Sequence, residues 1–346
     1  VVYMKIKELA RMAGMEENVL RFYEKKGLLS PKRDDNSYRN YDIQDYHILM
    51  IIRLYRKMDF SIAQIKEMLY GEESKNPMEL FFHQQAALNQ QIKELSVIRE
   101  GINQCLDEML VDEHQQEVIT TLLQNTADQL QTLHSWEDEW DFDTWAEHYD
   151  EDVHKPFGDG LKFYEHYEEV LDTCAQVVCE ENGHVLEIGI GTGNLAQRIA
   201  KKQPITGIDQ SIKMLMITKR KYPNIPVRTG TYGNIPFKEN SFSTVVSSYA
   251  FHHNNDQEKV RAVQEMDRVL CNNGRIIICD FMFQDAQDEK VFKETCSPQE
   301  KIEVEDEYFA HIDNLKNIFH KLHYRCEVLV LEHHLHILTA YKTENL

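Results

Sequence analysis

The sequence predicts a multidomain chain: an all-α winged helix-turn-helix head, a long coiled-coil helix, and then a larger α/β domain on a mostly parallel sheet. Three observations predict it. The chain has 346 residues, more than one ordinary domain of ~100–200 residues. Its formal charge of −20 is unevenly divided: residues 1–70 hold 13 Lys and Arg against 10 Asp and Glu, while the remainder holds 25 against 48. Finally, apolar residues recur at helical spacing through the first third of the chain. After His184 they change to short apolar runs alternating with helical segments.

Composition narrows the class. Hydrophobic residues make up 42% and charged residues 28%, and no stretch approaches the ~18 uninterrupted apolar residues of a membrane span. The N-terminus lacks the apolar core of a secretory signal. Seven cysteines without a C-x-x-C pair fit neither a disulfide framework nor a zinc ribbon, so a reducing cytoplasm is expected. An acidic bulk with a mildly basic head suits a protein whose tip alone meets nucleic acid, because phosphate neutralisation requires clustered Lys and Arg.

In the head, Ile6, Leu9 and Ala10 share a helical face, Ala13-Gly14 supplies a turn, and Val19, Leu20, Phe22 and Tyr23 begin a second helix. Gly27 ends it. Lys32 to Tyr41, with Asp-Asp-Asn-Ser in the middle, reads as a small hairpin or wing. Helices over Asp42 to Met58 and Ser61 to Tyr70 follow, the latter with Ser61 and Gln64 as a capping box.

Ile6-Lys7-Glu8-Leu9-Ala10, Leu20-Arg21-Phe22-Tyr23-Glu24, Gly27-Leu28-Leu29 and Tyr38-Arg39-Asn40-Tyr41, in that order and spacing, resemble the MerR family head. The resemblance implies that the second helix enters the major groove of promoter DNA while the wing holds phosphates. It also implies a homodimer that distorts the promoter for RNA polymerase. Asn18, Arg21, Tyr23, Tyr38 and Arg39 are the expected DNA-contacting residues. Guanidinium forks suit phosphate oxygens, and a phenol donates from a rigid ring. Tyr23 and Tyr41 are either such contacts or core aromatics. Glu16 and Glu17 depart from the family pattern at the start of the recognition helix. They would cap that helix, repel phosphate or accept from a cytosine amino group.

Leu88, Ile92, Leu95, Ile102, Leu106 and Met109 then step by threes and fours apart from one skipped position, a heptad-like stripe. In the resemblance this is the dimerisation helix; the alternative is a helix packed on the next domain. Cys105 is the only cysteine in it, which argues against a metal sensor. The expected domains are 1–75, 76–130 and 131–346, with Trp136, Trp140, Phe142, Trp145 and Tyr149 marking the start of the last.

There, strands are expected over 184–190, 205–209, around Val227, 244–249 and 275–281, with helices over 195–202, from Ser211, and over 257–270. Alternation of this kind makes a parallel sheet with helices on both faces and its ligand beyond the carboxyl ends of the strands. Glycine follows the first strand because backbone must approach a ligand closely. Glu187-x-Gly189-x-Gly191-x-Gly193, with Asp209 twenty residues after Gly189, resembles motif I of class I methyltransferases that use S-adenosylmethionine (SAM). Ile235 to Phe242, Ser247 to His253 and Arg268 to Arg275 extend the resemblance.

It implies a Rossmann-like fold with a seven-stranded mostly parallel sheet, in which Cys326 to Leu331 and His336 to Tyr341 supply the last two strands, the final one antiparallel, and SAM as cofactor with S-adenosylhomocysteine (SAH) as product. The expected cofactor residues are Tyr149, Glu187, Gly189, Gly191, Gly193, Asp209 and Tyr232, with Asp209 on the ribose hydroxyls. Phe142 to Asp150 resembles the segment that folds over the donor. An acid is missing near Thr231, so either Tyr232 holds adenine through its backbone amide or by stacking, or donor affinity is reduced.

Methyl transfer is an in-line displacement that positioning alone can accelerate, and a base is needed only for a protonated acceptor. His252 is the candidate base or acceptor-orienting group; it and His253 would otherwise cap a helix. Tyr249 lines the acceptor pocket or the core. His333, His334 and His336 read as surface residues, and no metal is expected. The acidic domain favours a small neutral or cationic acceptor. Three functions remain: a regulator with an active methyltransferase, a retired enzyme fold that senses SAM, SAH or a drug for the regulator, and an enzyme with a vestigial head.

Overall fold

The computed structural model describes residues 3–33, 38–58, 60–71, 77–111, 116–132, 142–154, 164–305 and 307–343. Its contacts divide the chain into two compact units, Val1–Leu88 and Asn89–Leu346. The wing tip at 34–37, Trp136 and Trp140 lie outside the described residues.

In the first unit, α1 (Ile6–Ala13) and α2 (Glu17–Lys25) are joined through Gly14. Its φ of 61° is the left-handed conformation that glycine adopts without a Cβ clash. β1 (Lys32–Arg33) and β2 (Arg39–Asn40) pair antiparallel as the expected wing. Helix α3 (Ile43–Lys57) starts at an Asp42/Asp45 capping box, and α4 (Ile62–Tyr70) at the Ser61/Gln64 box read from the sequence. Leu9, Leu20, Leu28, Tyr41, Leu49 and Ile52 form a fully buried core. Tyr41 is therefore a core aromatic.

The 35-residue helix α5 (Pro77–Val111) is followed by α6 (Gln116–Thr132). A Cβ on Gly101 of α5 would lie 2.2 Å from the Thr126 hydroxyl of α6, so these helices meet closely there. The expected stripe faces away from such contact: Ile92, Leu95, Ile102, Leu106 and Met109 are 48–63% exposed.

Short helices α7 (Phe142–Trp145) and α8 (Tyr149–Asp152) and the longer α9 (Tyr167–Val178) precede the sheet. The sheet elements then run β3 (Val185–Ile188), α10 (Ala196–Ile199), β4 (Ile205–Asp209), α11 (Ile212–Lys221), β5 (Val227–Thr229) and β6 (Phe242–Ser248). After a 3-10 turn at Phe251–His253 come α12 (Asp256–Val269), β7 (Leu270–Phe283), α13 (Ala286–Thr295), α14 (Pro298–Glu305), β8 (Ala310–His311), α15 (Ile312–Lys321), β9 (Tyr324–Glu332) and β10 (Leu335–Lys342).

Strand order is β5-β4-β3-β6-β7-β10-β9, with β5 to β7 parallel and β10 antiparallel to both neighbours. The sheet has eight strands rather than the expected seven, because two-residue β8 pairs with the far end of β7. All four β3 side chains are buried, as in parallel sheets covered on both faces. The order reverses between β3 and β6, which opens a crevice at their carboxyl ends. His336, read as a surface residue, is 8% exposed because β10 is an interior strand. No helix among the described residues is long and apolar enough to cross a membrane.

Candidate functional site

At the carboxyl end of β3, Gly189, Gly191 and Gly193 have φ of 73°, 54° and 86°. An L side chain is strained at each of these values. A Cβ on Gly189 would come within 2.7 Å of Ala250, whereas one on Gly191 would meet nothing within 4 Å. Gly191 thus borders open space. Its N–H donates to Asp209 Oδ2 at 2.8 Å, and the Ser211 N–H donates to Asp209 Oδ1 at 2.8 Å. Burial pushes the Asp209 carboxyl up to about 6 despite the backbone N–H groups that favour its charge.

Glu187 is 1% exposed, and its Oε2 has no hydrogen-bond partner among the described residues. Burial raises its carboxyl well above the usual range. A buried acceptor left unsatisfied is costly, and a ligand carrying an ammonium or sulfonium charge would relieve it. The cradle and the acid therefore fit SAM.

Sequence reasoning missed what anchors the glycine turn. Asp150 Oδ1 accepts from the Thr192 hydroxyl (2.6 Å) and the Asn194 amide (2.9 Å), and Asp150 Oδ2 accepts from Lys221 Nζ (2.7 Å). Burial opposes this charge, but Lys221, Thr192 and Asn194 outweigh it and hold the carboxyl below its usual range. The Ser211 hydroxyl donates to Asp143 Oδ1 at 2.6 Å. The 142–152 segment is thereby held to both the glycine turn and the loop after β4. Tyr149 packs edge-on against Trp145 at 4.8 Å, its hydroxyl 3.4 Å from that of Tyr167. The Tyr232 hydroxyl is 2.6 Å from Ser247 Oγ of β6.

Beyond β6 lies a cavity of about 130 Å³ lined by Phe142, Trp145, Tyr164, Tyr249, Phe281 and Phe309, and by His252, His253 and Glu307. Tyr249 adopts φ 49°, is 7% exposed, and its hydroxyl has no hydrogen-bond partner among the described residues. Left-handed backbone at a bulky residue is strain of the kind that clusters at functional sites.

His252 sits at the cavity wall with Nδ1 2.6 Å from Asp280 Oδ1; Asp280 Oδ2 accepts from the N–H groups of Phe251 (2.7 Å) and His252 (3.0 Å). Burial opposes an imidazolium at His252, but the charge and hydrogen bond of Asp280 prevail and raise its pKa. Asp280 and Glu307 are far from His252 in sequence, and nothing local marked them.

On the head, Asn18 and Arg21 are exposed on α2 and Tyr38 on the wing. Tyr23, expected at the DNA surface, is instead 7% exposed and part of the core. Arg39 Nε donates to Glu24 Oε2 at 2.7 Å, and the Tyr41 hydroxyl donates to the same carboxylate, tying the wing to α2. Glu16 makes no side-chain cap, and Glu17 lies 3.5 Å from Arg21.

A mostly parallel sheet with a left-handed glycine turn facing an acid at the next strand end defines a Rossmann-like, nucleoside-binding domain. Residues 185–274 match the methyltransferase domain family, and residues 4–72 match the MerR HTH family of regulatory proteins. An uncharacterized methyltransferase of Alkaliphilus oremlandii is 32% identical over 210 residues, covering 58% of this chain and 95% of that protein. One from Bacillus thuringiensis is 34% identical, covering 58% and 96%. The chain belongs to this methyltransferase family through its C-terminal domain, with a MerR-type head fused in front of it.

Among solved structures, a SAM-dependent methyltransferase of Thermotoga maritima, described as a possible histamine N-methyltransferase, aligns with TM-score 0.45 and 19% identity over 58% of this chain and 98% of its own. The magnesium protoporphyrin IX methyltransferase of Synechocystis, with bound SAH, aligns with TM-score 0.45 and 16% identity over 58% and 96%.

Proposed function

We propose that the chain is a dimeric MerR-type promoter-binding regulator whose C-terminal domain binds SAM and methylates a small molecule. The observation that carries this reading is the open space at Gly191, bounded by Asp209 and by the glycine turn. Asp209 would accept from the ribose hydroxyls, Glu187 would balance the donor's positive charge, and Tyr149 and Tyr232 would close the donor pocket. The Asp280-bound imidazole of His252, facing an aromatic cavity, favours transfer over a retired sensor fold. Exposed Asn18, Arg21, Tyr38 and half-exposed Arg39 would meet DNA. Calorimetry with SAM and SAH, methyl transfer to a panel of small amines, thiols and phenols, and salt-dependent gel shifts on the chain's own promoter test the three parts separately.

Asp209 supplies a pH prediction. A protonated carboxyl is a poorer acceptor for ribose hydroxyls, and with its titration near 6 SAM affinity is expected to hold at pH 7–8 and fall as pH drops through about 6. Calorimetric titrations across that range check it; affinity unchanged at pH 5 would remove Asp209 from the grip.

The exposed stripe on α5 supports homodimerisation, since an apolar helix face in water is an unmet burial surface. Burying a Leu or Ile side chain contributes ~1.5–3 kcal/mol. Replacing Leu95 and Ile102 together by Glu should weaken the dimer more than ~100-fold, tenfold being ~1.4 kcal/mol. Sedimentation velocity would show a monomer; an unaltered dimer would place the interface elsewhere.

A further inference from the structure

We propose that His252, His253 and Glu307 form a site for one divalent cation of the zinc class at the inner wall of the aromatic cavity. One donor atom from each lies within 4.8 Å of the other two. Glu307 Oε2 is 3.8 Å from His252 Nε2 and 3.5 Å from His253 Nδ1. Two donors at ~2.1 Å from a tetrahedral ion stand ~3.4 Å apart, so the two pairs that involve Glu307 need only a small contraction, and the histidine pair is bounded by 4.8 Å.

The surroundings fit a ligand set better than an ordinary ion pair. His252 Nδ1 lies 2.6 Å from the buried Asp280 carboxylate. That arrangement makes Nδ1–H the donor to Asp280, leaves Nε2 as the atom that would give up its proton to a cation 3.8 Å from Glu307 Oε2, and is how metal-ligating histidines are usually oriented. Asp280 is itself held by two backbone N–H groups. The two imidazoles stand 4.0 Å apart between centroids, where like charges repel. With both rings neutral, a divalent cation balances the carboxylates of Asp280 and Glu307.

Glu307 is brought to the histidines by a stitch between segments distant in sequence. The Tyr308 N–H donates to the His252 carbonyl at 3.1 Å. Lys259, only 3% exposed, donates to the carbonyls of Asn254 and Tyr308. Three protein ligands would leave a fourth position open, as in catalytic rather than structural zinc sites, and all three line the cavity. An acceptor bearing a thiol, hydroxyl or amine would occupy that position. In this respect the inference rests on the methyltransferase reading, whereas cation binding itself does not.

The test uses the full-length protein and Co²⁺ as a visible probe, with Zn²⁺ as competitor and SAM affinity measured on the same preparation. The expected result is one Co²⁺ per chain at this site, with ligand-field absorption that Zn²⁺ abolishes. Glu307→Gln and His253→Gln should each weaken binding at least ~10-fold, and Asp280→Asn about 10–100-fold, the usual cost of losing an outer partner. SAM binding retained by the variants establishes that they are folded. Absence of stoichiometric Co²⁺ binding, or binding indifferent to both Glu307→Gln and His253→Gln, overturns the proposal. If SAM binds and Co²⁺ does not, only the cation site falls; Co²⁺ bound without SAM sustains the site and removes the donor instead.

Discussion

Gly191→Val is expected to abolish SAM and SAH binding. At φ 54° the left-handed backbone costs a residue with a Cβ ~1–2 kcal/mol, and a β-branched side chain is stiffer still. Strain alone would weaken binding about tenfold if it fell wholly on the bound state. Occlusion is the larger effect. The Cβ direction at Gly191 meets nothing within 4 Å, so the valine would project into the space where the nucleoside must touch main chain. The Gly191 N–H bond to Asp209 would also be disturbed. Calorimetry should show no measurable heat with either ligand while the melting transition shifts only modestly. Affinity equal to that of the parent protein would mean that the donor lies elsewhere.

The second large effect is expected at His252. Replacing it by Gln removes both the imidazole that faces the cavity and the partner of Asp280, whose carboxyl is otherwise held low by His252 despite burial. With Nε2 free, His252 would act as an acid-base group worth ~10²–10⁴ in rate; with Nε2 on a cation it would orient the acceptor through that ion, a loss of about 10² when misplaced. His252→Gln should therefore lower kcat ~10²-fold or more with SAM affinity unchanged, once an accepted methyl acceptor is in hand. Equal loss in donor affinity would indicate collapse around Asp280. An unaltered kcat would restrict His252 to structure.

Much of the site was legible because it is local. Alternate glycines after an apolar run, an acid at the next strand end, and Ser61 or Ser211 ahead of a helix are each written within a few residues. The structure places them as read, with Ser211 accepting from the Met214 N–H at the start of α11. Of the two readings of Tyr23 the structure takes the core one: Leu20 and Tyr23, three apart, share the inner face of α2, while Val19 and Phe22 are exposed. Two-residue β8 had no periodicity to reveal it, whereas β9 and the antiparallel β10 lie where the strand-like runs at 326–331 and 336–341 place them.

Asp280 and Glu307, and the anchoring role of Asp150 within the segment read as folding over the donor, were invisible for a different reason. Acids are common in this chain, and nothing near these three in sequence distinguishes them from solvated surface charge. Their partners lie up to 71 residues away, as with Asp150 and Lys221.

From the order of residues alone came the two-part organisation, the MerR-like head, the parallel sheet and the glycine turn, because each is encoded by short-range spacing and backbone freedom. Tertiary structure decided which carboxylates were buried and paired, which aromatics entered a core, and that two histidines and a glutamate converge on one cavity. Those outcomes depend on solvent exclusion and on through-space distance, which exist only after the chain has folded.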